Sequence, residues 1–99
     1  MPEEYLSSIK RYLRVTFSDH DELLIQTISD GMDEIKGMVY QGLVFNFTPV
    51  EPYDGRINAL LRDYVRYSWN GSSQYFAEDY RRTITRLSLE IGASKVVPV

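Results

Sequence analysis

Apolar residues recur at helical spacing along most of the chain, and the longest such stretch runs from Ser18 to Gly42. Spacings of three and four residues place its apolar side chains on one face of a helix. The pattern predicts a helix over roughly residues 19–41 around which the other elements pack. The stripe consists of Leu24, Ile28, Met32, Ile35 and Val39.

The ends of this long helix carry recognisable signals. Ser18 with Asp21, and Asp19 with Glu22, each fit a capping box, and Gly42 fits a helix end. Gly31 and Gly37 lie inside the helix, where glycine costs about 1 kcal/mol relative to alanine. Either glycine marks a close helix crossing or each is a tolerated weak position.

Three further amphipathic segments predict helices over roughly residues 3–14, 54–69 and 73–91. Asn70 and Gly71 are expected to stop the third helix, and Gly92 the fourth. We therefore expect an all-α fold: one domain, a small bundle of about four helices, with an extended, apolar tail over residues 92–99. Ile28 and Leu60, at the centres of two stripes, are predicted to be buried.

The segment 43–50 alternates apolar and polar residues, which is the period of a strand. Pro49 and Pro52 exclude a central strand. Three interpretations stay open: a hairpin with the C-terminal tail, pairing with a neighbouring subunit, or a loop that buries Phe45 and Phe47. A lone strand here would have no evident partner among the predicted helices.

Composition argues against catalysis. The chain has 99 residues, no cysteine and a single histidine, so it offers no Cys/His dyad and no two-histidine metal site. His20 with Asp19, Asp21 and Glu22 is explained by helix capping rather than by a metal. No glycine-rich phosphate loop follows a strand. We expect a protein that is not an enzyme and needs no cofactor.

Charge restricts the partners. The formal net charge is −3, yet the stretch from Ser18 to Gln41 alone carries six acids against one base. Acids balance the arginines of the C-terminal half, which argues against tight binding to phosphates. No apolar run approaches the ~20 residues that cross a bilayer, so no membrane partner is expected. The abundance of tyrosine, with eight residues, suits surfaces buried on association.

The order of the elements resembles a known family. The stretches EEYLSSIKRYLRV, SDHDELL, IQTISDGMDEI and RDYVRYSWN follow one another as in the head–tail connector proteins of tailed bacteriophages. The likeness covers most of residues 3–70. Where many relatives have Tyr-x-x-Arg after the third helix, this chain has Tyr67, Ser68, Trp69 and Asn70.

The resemblance implies a structural virion protein that completes the head as a ring beneath the portal, and is present in the host cytoplasm during assembly. It implies no catalysis and no cofactor, and only non-specific passage of DNA. The implied partners are the portal protein, neighbouring copies of the chain and a tail-side stopper or completion protein. A small helical interaction module and a helix-turn-helix regulator are the alternatives.

Two sets of residues follow as candidate contacts. The channel lining is predicted to include Asp30, Asp33 and Glu34, although a merely solvated helix face explains them equally well. The interface with the portal or the next subunit is predicted to include Phe45, Phe47, Arg81, Arg82, Arg86, Val96, Val97 and Val99.

Overall fold

The computed structural model describes residues 2–95, which form helices, turns and loops and contain no strand. The fold class is all-α, as predicted. The five α-helices of this part of the chain are α1 (Leu6–Leu13), α2 (Asp21–Met38), α3 (Asp54–Trp69), α4 (Phe76–Asp79) and α5 (Arg81–Ser94). Two 3-10 turns, Pro2–Tyr5 and Ser73–Tyr75, precede α1 and α4.

The buried side chains of these helices form one hydrophobic cluster. Ile28 is fully buried and Leu60 is 2% exposed, which confirms both core predictions. Helix α2 crosses α3 closely, because a Cβ on Gly31 would lie 2.7 Å from the Tyr64 ring and 3.0 Å from Leu61 Cδ1. A Cβ on Gly37 would meet nothing within 4 Å. Gly31 therefore marks the helix crossing, and Gly37 is a tolerated position.

The long helix is shorter than predicted. It ends at Met38, with Val39 as C-cap, rather than near Gly42. After Val39 the chain leaves the helix and turns, and Val39 and Leu43 both lie in the core, with exposures of 5% and 4%. In this turn the Tyr40 ring lies against Gly42.

The predicted fourth helix over 73–91 is interrupted. Tyr80 leaves the helical conformation (φ −105°, ψ 12°), so that α4 and α5 are separate helices. The bend lets the Tyr80 ring stack on Phe76, with centroids 4.7 Å apart, while its hydroxyl donates to Asp63 of α3. Further along, α5 runs through Gly92 to Ser94, so the predicted helix end at Gly92 is wrong.

Ion pairs and hydrogen bonds show how α5 lies on α3. Tyr80, at the start of α5, bonds to Asp63 in the second half of α3. Glu90, near the end of α5, pairs with Arg56 in the first turn of α3. The two helices are therefore antiparallel, and the end of α5 lies beside the start of α3.

The predicted stop between the last two helical segments is confirmed. Helix α3 ends at Trp69, and Gly71 adopts φ +73°, the left-handed conformation that glycine accepts readily. The segment 43–50 is a loop. Of the predicted tail over 92–99, residues 92–94 are helical, and Val96, Val97 and Val99 lie outside the described residues.

Candidate interaction surfaces

Asp54 anchors the loop between α2 and α3. It is the first residue of α3 and is 1% exposed. Its Oδ2 accepts hydrogen bonds from the backbone N–H groups of Val50 (2.8 Å) and Glu51 (2.7 Å) and from the Asn46 amide (3.0 Å). Burial raises the pKa of Asp54, but these three donors outweigh it, and the pKa lies below its ordinary value of 3.8. The carboxylate therefore holds the loop to the start of α3.

Asn58, one turn further along α3, is a second anchor. Its Nδ2 donates to the backbone carbonyls of Asn46 (2.9 Å) and Phe47 (3.2 Å), and its Oδ1 accepts from the Tyr5 hydroxyl at 2.8 Å. Burial, and then the negative charge of Glu4, raise the pKa of Tyr5 to about 12. The expectation that this stretch has no internal hydrogen-bond partner is therefore wrong.

The two phenylalanines of the loop differ in exposure. Phe45 is partly buried against the core. Phe47 is 42% exposed, and its ring meets the Tyr5 ring edge-on with centroids 5.2 Å apart. Of these two predicted contact residues, Phe47 presents the larger fraction of its surface to solvent.

The three predicted channel-lining acids share a shallow groove of about 510 Å³, here called the acidic groove. Asp30, Asp33 and Glu34 line it together with Tyr64. Burial, followed by the charges of Glu34 and Asp30, raises the pKa of Tyr64. Asp30 accepts a hydrogen bond from Gln26, but none of the three acids forms an ion pair within residues 2–95.

The three predicted interface arginines also lie together. Arg81, Arg82 and Arg86 line a second groove of about 580 Å³ on α5, here called the basic face. Glu78 and Asp79 share its wall. All three arginines are exposed, and none has an ion-pair partner in the described part of the chain. The cationic groups are therefore open to a partner.

A polar network around Asp63 was missed by the sequence analysis. Its carboxylate accepts hydrogen bonds from Tyr12 (3.1 Å) and Tyr80 (3.0 Å), and Arg66 donates to the Tyr80 hydroxyl at 3.4 Å. Burial and the bond to Asp63 raise the pKa of Tyr80 to about 12. Tyr12 and Asp63 are 51 positions apart, so no local signal could have paired them. Part of the tyrosine surplus thus serves the fold itself.

An apolar patch where the start of α2 lies beside the end of α3 was also missed. Phe17, His20, Leu23 and Trp69 form it and are here called the Trp69 patch. The His20 ring lies between the rings of Phe17 and Trp69, with centroids 5.7 and 6.1 Å away. Phe17 is 50% and Leu23 56% exposed. A groove of about 290 Å³ opens between His20, Leu23 and Trp69. The signal for it was two large apolar residues flanking a helix start.

The predicted capping boxes at the start of α2 are wrong. The N-cap residue is His20, and no side chain caps the helix there. Asp21 instead forms an ion pair with Lys10 of α1 at 2.7 Å. Among the described residues, no group of three histidine or acidic side chains is placed to hold a metal ion.

Comparisons with known proteins give no family assignment. The chain matches no protein-family model, no curated protein and no solved structure. Within residues 2–95, no helix combines the length and apolarity needed to cross a membrane. The geometry therefore defines an all-α protein with three exposed candidate surfaces: the acidic groove, the basic face and the Trp69 patch.

Proposed function

We propose that this chain is a head–tail connector of a tailed bacteriophage. In this proposal it is a structural virion protein that forms a ring under the portal, completes the DNA-filled head and offers a docking surface to the tail. The observation that carries the proposal is the grouping of the predicted contact residues. Three acids lie in one groove and three arginines on another surface, without ion-pair partners among the described residues.

The acidic groove suits the wall of a DNA channel. Carboxylates offer DNA phosphates no cation to bind, so DNA in contact with such a wall slides rather than sticks. Asp33 and Glu34 are exposed and unpaired within residues 2–95, as a channel wall requires. In a ring, copies of this groove would surround the axis.

The basic face suits the contact with the portal or with a neighbouring subunit. Arginine forms bidentate bonds to carboxylates and is enriched at protein interfaces. Phe47, at 42% exposure, adds apolar surface elsewhere on the same protein. The partners proposed are the portal protein, further copies of this chain and a tail-side stopper or completion protein. The protein would act in the virion after assembly in the host cytoplasm.

A helix-turn-helix regulator is less well supported. The helix that would read DNA is interrupted at Tyr80, so only the 3-10 turn Ser73–Tyr75 and the four residues of α4 lie between Gly71 and this break. Glu78 and Asp79 also share the groove of the arginines. Tight binding to phosphates needs a net basic surface. A general protein-interaction module is the broader class to which the connector belongs.

The test is reconstitution with the portal protein encoded in the same genome. The full chain is mixed with purified portal rings, and the mass of the complex is measured by light scattering after size-exclusion chromatography. We expect an assembly many times larger than the 11.5 kDa monomer. The double variant Arg82→Glu/Arg86→Glu should bind at least tenfold more weakly. Arg11→Glu/Arg14→Glu, which reverses two exposed arginines at the end of α1, is the charge-matched control and should bind normally.

Two results would overturn the proposal. If the chain stays monomeric and does not bind the portal rings, it is not a connector. Binding to a defined DNA duplex that weakens as the salt concentration rises would instead favour a regulator. In that case the arginine variants should reduce the slope of log affinity against log salt concentration.

A further inference from the structure

The Trp69 patch lacks a partner within the described chain. Phe17 and Leu23 leave half or more of their side-chain surface in solvent, at 50% and 56%. Large aromatic residues grouped around a groove are the usual anchors of protein contacts. Two exposed acids, Asp19 and Glu22, adjoin His20 and Leu23 along the chain; they form no ion pair within residues 2–95 and are here called the acidic rim. An occupant of matching chemistry is an apolar segment that carries a positive charge.

The C-terminal sequence has this chemistry. Lys95 is exposed just beyond the last helical residue, Ser94, and three valines and one proline follow it. Pro98 disfavours a helix at Val97 and favours extended backbone there. Short extended segments with proline bind to grooves lined by aromatic side chains. The segment Lys95–Val99 therefore matches both the apolar floor and the acidic rim of the Trp69 patch.

The segment is too short to occupy the patch of its own chain. Glu90 pairs with Arg56, so the end of α5 lies beside the start of α3, whereas Trp69 is the last residue of α3. Thirteen residues separate Arg56 from Trp69, which is about 20 Å along a helix. Lys95 lies further on, since α5 is antiparallel to α3. The four residues after Lys95 span at most about 14 Å.

We propose that the Lys95–Val99 segment of one copy binds the Trp69 patch of a second copy. Lys95 and the patch lie at opposite ends of the α3–α5 pair, so binding of the segment to a second copy's patch is head-to-tail and can repeat from copy to copy. Val96 and Val97 fill the groove beside Trp69, and Lys95 meets the acidic rim. This inference deepens the ring proposed above and rests on it for the assembly that results.

The first test is direct binding, read from Trp69, the only tryptophan of the chain. A peptide of residues 93–99 is titrated onto the full chain carrying Val97→Glu, whose own segment then no longer competes. We expect a saturable change in tryptophan emission. The same peptide with the Val97→Glu change should bind at least tenfold more weakly. No saturable change, or equal binding of both peptides, overturns the inference.

A patch variant shows where the peptide binds. Leu23→Glu, added to the Val97→Glu chain, should weaken peptide binding at least tenfold. The fold should survive, because Leu23 is exposed and an acid in the first turn of a helix is favourable. Leu89→Glu is the matched control, since Leu89 is 70% exposed on α5 and should not affect binding. Equal losses in both variants would contradict the assignment.

The second test is complementation between two defective chains. Leu23→Glu keeps its segment but lacks a working patch, and Val97→Glu keeps its patch but lacks a working segment. An equimolar mixture should sediment as dimers and nothing larger at concentrations where each variant alone is monomeric. A mixture that stays monomeric overturns the inference. The connector proposal fails separately, because it is judged by binding to the portal.

Discussion

The loop between α2 and α3 and the basic face of α5 were both predicted to contact partners, and their structures differ. The loop is held from within: Asp54 accepts three hydrogen bonds and Asn58 donates two. The basic face has no such ties, and its arginines carry no ion-pair partner in residues 2–95. The first region is part of the fold, and the second is available surface.

The difference teaches how to judge an apparently unpaired segment. Backbone groups without a local partner do not signal an intermolecular strand when a buried carboxylate and an amide can satisfy them. The three arginines of the basic face are different, because none of them has an ion-pair partner within residues 2–95. A partner for this protein should therefore be sought at exposed charged and apolar side chains, including Phe47, rather than at the backbone of the loop.

The largest expected effect on stability comes from removing the Asp54 carboxylate, which accepts three hydrogen bonds from the loop. Asp54→Ala leaves two backbone N–H groups and an amide without their acceptor, so the free energy of unfolding should fall by about 2–4 kcal/mol. Urea unfolding followed by circular dichroism measures it. Asp54→Asn keeps one acceptor oxygen and should lose less. A loss below about 0.5 kcal/mol for the alanine variant, typical of surface changes, would mean the loop is not anchored.

Two glycines of α2 allow a similar comparison, because Gly31 is packed against α3 and Gly37 has no close neighbour. Gly31→Ala places a Cβ 2.7 Å from the Tyr64 ring and should cost about 1–3 kcal/mol in spite of the better helix propensity of alanine. Gly37→Ala meets no neighbour within 4 Å and should stabilise by up to about 1 kcal/mol. Thermal unfolding of both variants measures the contrast. Equal shifts of the same sign would contradict the close crossing at Gly31.

Protonation of Asp54 at low pH should lower the free energy of unfolding by less than the Asp54→Ala substitution does. The pKa of Asp54 is lowered in the folded state, so its contribution to stability is complete well above the ordinary value of 3.8 and is lost as the pH falls through the lower folded pKa. The stability gap between the native chain and Asp54→Asn should therefore narrow as the pH drops below 3.8. Urea unfolding over a pH series tests this, and a gap that stays constant would exclude Asp54 as the titrating group.

The smallest effect on stability is expected at the basic face. Replacing Arg81, Arg82 and Arg86 by glutamine removes no ion pair within residues 2–95, so the free energy of unfolding should change by less than about 0.5 kcal/mol. Portal binding should fall in the same variant. A large loss of stability would show that these arginines stabilise the fold, as Asp54 and Asn58 of the loop contacts do, and are not simply surface available to a partner.

The amino-acid sequence by itself determined the features that depend on residues close together along the chain, namely helix positions, a helix end and core positions. Apolar spacing predicted the positions of α1, α2 and α3 to within a few residues, and Gly71 predicted the stop that follows α3. The core positions Ile28 and Leu60 followed from the same stripes. Groups three or four residues apart meet on one helix face whatever the fold, so periodicity suffices for them.

Only the tertiary structure decided the features that join distant residues. The last predicted helix is broken at Tyr80, whose hydroxyl donates a hydrogen bond to Asp63 on another helix. Asp21 pairs with Lys10 where a capping box was expected, since an ion pair across two helices competes with a local bond. His20 and Trp69 become one patch although 49 positions separate them. Such contacts depend on how the helices pack, because the burial of the apolar stripes decides which polar and aromatic side chains lie beside one another.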